Sequence, residues 1–248
     1  MDREALINVD GVQRYYGDDC AVSDVSFEVH RGEVLGFLGP NGAGKTTTMQ
    51  IITGALAANA GSVSICGHDI LDQPRRARSH IGYLPEQPPL YTDLSVDEYL
   101  TYAGRLRGTA RPVLRDAVLR SRERCGLKET GRRLIHNLSK GYQQRVGIAQ
   151  AIIHSPSVVI LDEPTIGLDP IQIREIRALI RELGRDHSVI LSTHILPEVQ
   201  SVCDRVLIIN QGELVLDRQL SELSTDTPGS TIQVGLQQCR RTSACCSS

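Results

Sequence analysis

Residues Gly39-Pro40-Asn41-Gly42-Ala43-Gly44-Lys45-Thr46 read G-x-x-x-x-G-K-T, and they follow directly on an apolar run, Val34-Leu35-Gly36-Phe37-Leu38. A strand that ends where glycines begin, with a helix to follow, has one well-known use: successive backbone N–H groups turn inward around phosphates, which side chains would block. Lys45 adds a cation at the β- and γ-phosphates, Thr46 offers a hydroxyl to the accompanying magnesium ion, and Thr47 continues the first helical turn. The chain is therefore expected to bind a nucleotide through Gly39, Pro40, Asn41, Gly42, Ala43, Gly44, Lys45, Thr46 and Thr47, with Mg2+.

The runs Val158–Leu161 and Val189–Leu191 share the almost wholly apolar character of Val34–Leu38, as parallel strands covered by helices on both faces do. Each gives way to polar residues and then a helical pattern, which predicts an α/β chain with ligand groups gathered at the carboxyl ends of the strands. Two earlier runs, Leu6–Val9 and Val25–Val29, alternate apolar and polar residues and predict strands with one exposed face. Between Ser95, which forms a capping box with Glu98, and about Ser155 the text is helical and poor in strands. Residues 86–156 hold 12 Lys and Arg against 7 Asp and Glu, a net of +5 in a chain whose total is −2, so −7 is left for the rest. That asymmetry marks an inserted helical subdomain whose arginines form either a solvated surface or a docking face for a partner or an anionic membrane surface.

The composition narrows the function classes. There is no basic excess of the kind that accompanies nucleic-acid binding, so no nucleic-acid partner is expected. Apolar stretches are too short to span a bilayer, and the N-terminus lacks a signal-peptide pattern, which predicts a cytoplasmic protein. The seven cysteines are scattered, with no C-x-x-C, so neither a disulfide framework nor a zinc site is expected.

Two further clusters carry chemistry. The strand Val158–Leu161 ends on Asp162-Glu163-Pro164, placing two carboxylates at a buried tip, which is costly unless they meet a cation or a reacting water. Asp162 suits magnesium; Glu163 suits the polarisation of a water attacking the γ-phosphate, a general-base role worth roughly 10²–10⁴-fold in rate. Leu138-Ser139-Lys140-Gly141-Tyr142-Gln143-Gln144-Arg145 precedes a helix with Val146, Ala149 and Ile153 on one face. Alone it is an ordinary helix cap; beside a phosphate loop it is a second anion-binding helix end, as in a nucleotide shared between two protomers.

Together these segments resemble the nucleotide-binding domain of an ABC transporter: Walker A at 39–46, Walker B at 158–163 and a signature at 138–145, the likeness covering about residues 4–222. The resemblance implies a P-loop NTPase with a RecA-like parallel core, an N-terminal antiparallel β subdomain and a helical subdomain inserted at about 86–156. It implies an ATPase that dimerises on ATP, with a second copy or a paralogue, and drives a separate membrane permease from the inner face of the membrane. Ser139, Lys140, Gly141, Tyr142 and Gln143 would grip the partner's ATP. Asp169, in Ile166-Gly167-Leu168-Asp169, resembles the D-loop aspartate that couples the two sites. His194 resembles the switch histidine that bonds the γ-phosphate. Tyr16 resembles the residue that stacks on adenine, with Tyr15 the adjacent alternative.

Two departures from the family pattern stand out. The signature reads LSKGY instead of LSGGQ, which places a cation and a phenol at its third and fifth positions. In Ile81-Gly82-Tyr83-Leu84-Pro85-Glu86 the glutamine of the Q-loop is replaced by Glu86, followed by Gln87, and Glu86 is expected to keep a metal-ligand role. Both departures resemble the ATPases of ABC-2 type exporters, including gliding-motility, copper-processing and drug-efflux systems. The rival reading is a soluble ABC ATPase acting on ribosomes or DNA; such relatives resemble tandem or coiled-coil-split ATPases, and this chain has neither feature. Residues 223–248, with Thr231–Leu236 and a Cys-rich end, look like the start of a longer extension that is truncated or frame-shifted and disordered after about Asp226.

Overall fold

The computed structural model describes residues 4–223, and the expected C-terminal extension lies outside them. The chain runs β1 (Ala5–Tyr16), β2 (Asp19–His30), β3 (Val34–Leu38), α1 (Lys45–Ile52), β4 (Ala60–Ile65), β5 (His68–Asp69), α2 (Pro74–Ser79) and β6 (Ile81–Leu84). Three helices follow, α3 (Val96–Leu106), α4 (Arg111–Arg124) and α5 (Lys140–Ile152). The rest is β7 (Val158–Asp162), α6 (Pro170–Leu183), β8 (Ser188–Thr193), α7 (Leu196–Val202), β9 (Arg205–Asn210), β10 (Glu213–Gln219) and α8 (Leu220–Leu223).

Six strands form one sheet in the order β10-β9-β3-β8-β7-β6, parallel except for the antiparallel edge strand β10. A four-stranded antiparallel sheet, β2-β1-β4-β5, makes the second layer. The central strands show why their sequences are continuously apolar. Val158 and Ile160 of β7 face a core shared with the antiparallel sheet and α1, where Phe27, Phe37 and Met49 pack. Val159 and Leu161 face the opposite core, built by α3, α5 and α6 around Leu100, Val146 and Ile180. A strand with hydrophobic partners on both sides has no position left for a polar residue until its end, and there the chain places Asp162.

The first two strands are longer than their alternation predicts. Gly11, at φ 57°, and register shifts between Val9 and Val12 bulge β1 without ending it, so pairing with β2 continues through polar residues to Tyr16 opposite Asp19. The capping box forms as expected: Ser95 N donates to Glu98 Oε2 at 2.8 Å, and Glu98 N returns to Ser95 Oγ at 3.4 Å. It starts α3, the first helix of the excursion between β6 and β7. Among the described residues no helix is long and apolar enough to cross a membrane.

Candidate active site at the ends of the parallel strands

The loop from Gly39 to Gly44 leaves the carboxyl end of β3, which lies between β8 and β9. Gly39 N donates to Thr193 O at 3.3 Å, anchoring the loop to the end of β8. Gly44 sits at φ 103° as the N-cap of α1, and a Cβ there would lie 2.5 Å from the Ala21 carbonyl, so a glycine is required on both counts. The first turn of α1 contains no acidic residue, which leaves its positive end uncompensated.

A cavity of about 280 Å³ opens over this turn. Asn41, Gly42, Gly44, Lys45, Thr46, Thr47, Glu86 and Glu163 line it, all of them singled out by the sequence. Glu86, not Gln87, is the lining residue of that pair. Gly39 and Pro40 contribute behind the cavity, where their carbonyls accept from Lys45 Nζ at 2.9 and 3.2 Å. Ala43 is buried, its N–H on the Pro40 carbonyl. Ala21 and Ile166 also line the cavity. Ala21 gives no signal in the sequence, and Ile166 stands there only as the first residue of the D-loop-like segment, because neither side chain has chemistry of its own.

Glu163 is 5% exposed and stands at the centre of a cluster. Lys45 Nζ lies 3.4 Å from its Oε1, and His194 Nδ1 lies 3.1 and 3.0 Å from its two carboxylate oxygens. Its backbone is left-handed, at φ 47°, and its N–H donates to Ser192 O at 2.9 Å. A non-glycine residue in that conformation is uncommon, and the turn aims the carboxylate into the cavity and not along the strand.

Asp162 is wholly buried. The hydroxyls of Ser192 and Thr46 lie beside it, yet neither carboxylate oxygen receives a well-formed hydrogen bond. Burial holds its carboxyl above the ordinary carboxylate range, partly offset by those two hydroxyls, with the charges of Glu163 and Glu86 raising it further. A buried, under-satisfied oxygen donor beside a threonine hydroxyl, with the Glu86 carboxylate lining the same cavity as Thr46, fits a hard divalent cation.

The other expected residues stand apart. Tyr15 and Tyr16 are 42% and 49% exposed at the tip of the β1–β2 hairpin, with the Arg14 guanidinium 4.9 Å from the Tyr16 ring, and neither lines the cavity. Ser139 N-caps α5, its Oγ 3.5 Å from Tyr142 N, and Gln143 Nε2 ties back to Ile135 O and Leu138 O at 3.1 and 3.2 Å. The Arg145 guanidinium stands 5.8 Å from the Tyr142 ring. Asp169 N-caps α6, accepting from Ile171 N and Gln172 N at 2.9 Å. These two caps are packed together: the end of the Gln172 side chain lies over Gly141, and the end of the Lys140 side chain over Gly167. None of Ser139, Lys140, Gly141, Tyr142, Gln143 and Asp169 lines the cavity of its own chain.

The ABC transporter family model matches residues 22–166, from the β2 segment bordering the cavity to the turn beyond Glu163. The chain belongs to the ABC transporter family. It is 38% identical over 218 residues to the ABC transporter ATP-binding protein YxlF of Bacillus subtilis, covering 88% of this chain and 72% of that one. It is 34% identical to the daunorubicin resistance ATP-binding protein DrrA3 of Streptomyces coeruleorubidus, covering 95% and 75%. The structure of CbiO1 from Clostridium perfringens, part of the ABC transporter complex CbiONQ, superposes with a TM-score of 0.81 at 28% identity, covering 90% of this chain and 92% of that one. As an ABC transporter ATP-binding subunit the chain has the P-loop NTPase fold and is an ATPase that powers transport.

Proposed function

We propose that this subunit drives export, holding ATP in the cavity above α1 and hydrolysing it with Glu163. The observation that carries the assignment is the convergence of Lys45 and His194 on Glu163 at the cavity wall. Lys45 and the glycine-loop amides hold the β- and γ-phosphates. Glu163 accepts a proton from the attacking water, and His194, on its other side, bonds the γ-phosphate and keeps the carboxylate aimed. Thr46, Asp162 and Glu86 would hold Mg2+, which when bound neutralises phosphate charge. Tyr16, with Tyr15 beside it, supplies the stacking face for adenine from the hairpin tip.

The caps of α5 and α6 act in trans. Ser139, Lys140, Gly141, Tyr142 and Gln143 of one protomer close on the ATP of the other, with Asp169 coupling the two sites, so that ATP becomes part of the interface. The ATPase unit spans residues 1–222, with the helical subdomain at about 86–156, and 223–248 begins an extension.

The permease docks beside Glu86, in a groove between the parallel core and the helical subdomain. Two adjoining cavities of about 380 and 390 Å³ share Arg107 as a wall. Tyr83 lines the first; Tyr91, Tyr99 and Tyr102 line the second, so four of the seven tyrosines meet here. Burial, and then the charge of Arg78, pull the Arg107 guanidinium below its usual value, and no carboxylate pairs with it among the described residues. Tyrosine and arginine around a partly desolvated charge are the composition of a binding hot spot, and the missing anion points to a permease segment bearing a carboxylate. This arrangement keeps the subunit on the cytoplasmic face of the membrane. Support for export comes from the likeness to a drug-resistance subunit and from the signature and Glu86 departures. The test is to tag the chain, solubilise native membranes and identify what co-purifies. A multi-span permease is expected, and its loss on Arg107→Glu would place the groove in the contact; ribosomal or DNA-processing proteins without a permease would overturn the reading.

A further inference from the structure

Glu198 lies on the first turn of α7, four residues beyond His194, and is 1% exposed. Its Oε1 accepts from Thr165 Oγ1 at 2.7 Å, and its Oε2 accepts from Thr193 Oγ1 at 3.0 Å. Arg177, on α6, brings Nη2 to 3.4 Å from Oε1. Both threonines are buried, at 4% and 0% exposure. Thr165 follows Glu163 by two residues, and Thr193 immediately precedes His194. The two oxygens of one carboxylate therefore hold the two loops whose side chains meet at the cavity wall.

Chemistry fixes the direction of these bonds. An ionised carboxylate only accepts, so each threonine hydroxyl must donate, which sets its rotamer and with it the backbone on which Glu163 or His194 is mounted. Thr193 Oγ1 also accepts from Ile195 N at 3.2 Å, which pins the exit of the His194 turn to the same point. A buried carboxylate carries a desolvation cost that an apolar residue of similar volume avoids, so a buried ion pair is a poor source of net stability. What the carboxylate supplies that an apolar residue cannot is a fixed distance between two loops.

We propose that Glu198 is a positioning residue for ATP hydrolysis, tying the loop that carries Glu163 to the loop that carries His194 so that both address the nucleotide as one unit. The inference rests on the reading of Glu163 and His194 as the hydrolytic pair. Arg177 extends the tie to α6, whose N-cap is Asp169, so the clamp also holds the helix that follows the 163–168 turn.

The test uses the purified chain and its own ATPase activity. Thr165→Val and Thr193→Val each remove one donor at nearly constant volume and leave Glu198 facing Arg177. Cutting either end of a tie releases it, so each single variant is expected to lower kcat about tenfold, as a displacement of well under 1 Å at a reacting group does. KM and the affinity for a fluorescent ATP analogue should stay within about twofold, and the double variant should fall little further than either single one. Thr165→Ser and Thr193→Ser keep the hydroxyls and are expected to restore kcat, which also settles the matter should a valine variant fold poorly. Wild-type kcat in both valine variants, additive losses in the double variant, or serine variants as slow as valine ones would overturn the clamp. Glu163→Gln, assayed in parallel, separates the two layers. If it retains turnover, the hydrolytic pair itself is misassigned; if it is inactive while the valine variants are not, only the clamp fails.

Discussion

Lys45 Nζ lies 3.4 Å from Glu163 Oε1 with both side chains nearly buried, at 6% and 7% exposure. The cation proposed to hold the phosphates is thus already engaged by the carboxylate proposed to activate water, together with the carbonyls of Gly39 and Pro40. A γ-phosphate competes with Glu163 for the same ammonium. Replacing that carboxylate with an amide removes both the competing charge and the repulsion between two anions. Glu163→Gln should therefore bind ATP more tightly than the wild type by calorimetry while turnover falls by roughly 10²–10⁴-fold. Weaker ATP binding in this variant would show that the carboxylate does not compete for Lys45.

Glu86 lines the cavity, and its charge acts on the buried, under-satisfied Asp162. A carboxylate there binds a hard cation more strongly than a glutamine does. Glu86→Gln should raise the magnesium concentration needed for half-maximal ATPase activity. An unchanged magnesium dependence would remove Glu86 from the metal site.

Gly82, in β6, lies so close to the Ala151 carbonyl of α5 that a Cβ would overlap it, and the same Cβ would stand 3.0 Å from Pro156 Cγ. The backbone carbonyl cannot step aside as a side chain can. Gly82→Ala should cost about 1–3 kcal/mol, read as a lower urea midpoint at unchanged slope. Wild-type stability would mean that β6 and α5 can separate freely, which would also loosen the segment leading to Glu86.

His154, in the turn just beyond α5, donates from Nε2 to the Ile81 carbonyl at 3.1 Å. Burial, then the charge of Arg107, pull its imidazole down to about 4, and His187 is lowered for the same primary reason. An unfolded histidine titrates near ~6.5, so between that pH and about 4 the unfolded chain binds the proton that the folded chain refuses. The stability contribution is complete above ~6.5 and is lost as pH falls, by on the order of 1–3 kcal/mol for this group. Urea melts at stepped pH should show that slope, and His154→Gln should flatten it. An equal slope in the variant would assign the acid sensitivity elsewhere.

Much of this molecule is legible in its text because its strongest signals are local. A glycine loop after an apolar strand, two carboxylates after another, and Ser95 three residues before Glu98 each contain their own geometry. The three central parallel strands β3, β7 and β8 are equally plain, since cores on both faces leave no polar position to obscure them, whereas β6 and β9 at the flanks, with Tyr83 and with Arg205 and Asn210 among their residues, do not announce themselves. What escapes the text depends on convergence. β1 reads as ending near Val9 because Gly11 and polar residues interrupt its alternation, yet pairing with β2 carries it to Tyr16. Glu198 reads as an ordinary acid in a first helical turn; only the meeting of α6, α7 and the ends of β7 and β8 gives it Thr165, Thr193 and Arg177 as partners. The tyrosine groove around Arg107 is assembled from β6, the segment after Glu86, and α3, and no one of these is unusual alone.

In the proposed dimer, ATP bound over α1 is completed by the α5 cap of a second protomer. Glu163→Gln, which should hold ATP without splitting it, makes the shared site measurable: its mass in solution is followed by light scattering with and without saturating MgATP. A monomer that becomes a dimer on ATP is expected, with the response lost when Ser139→Arg blocks the α5 cap. A variant that binds ATP and remains a monomer would contradict the shared site.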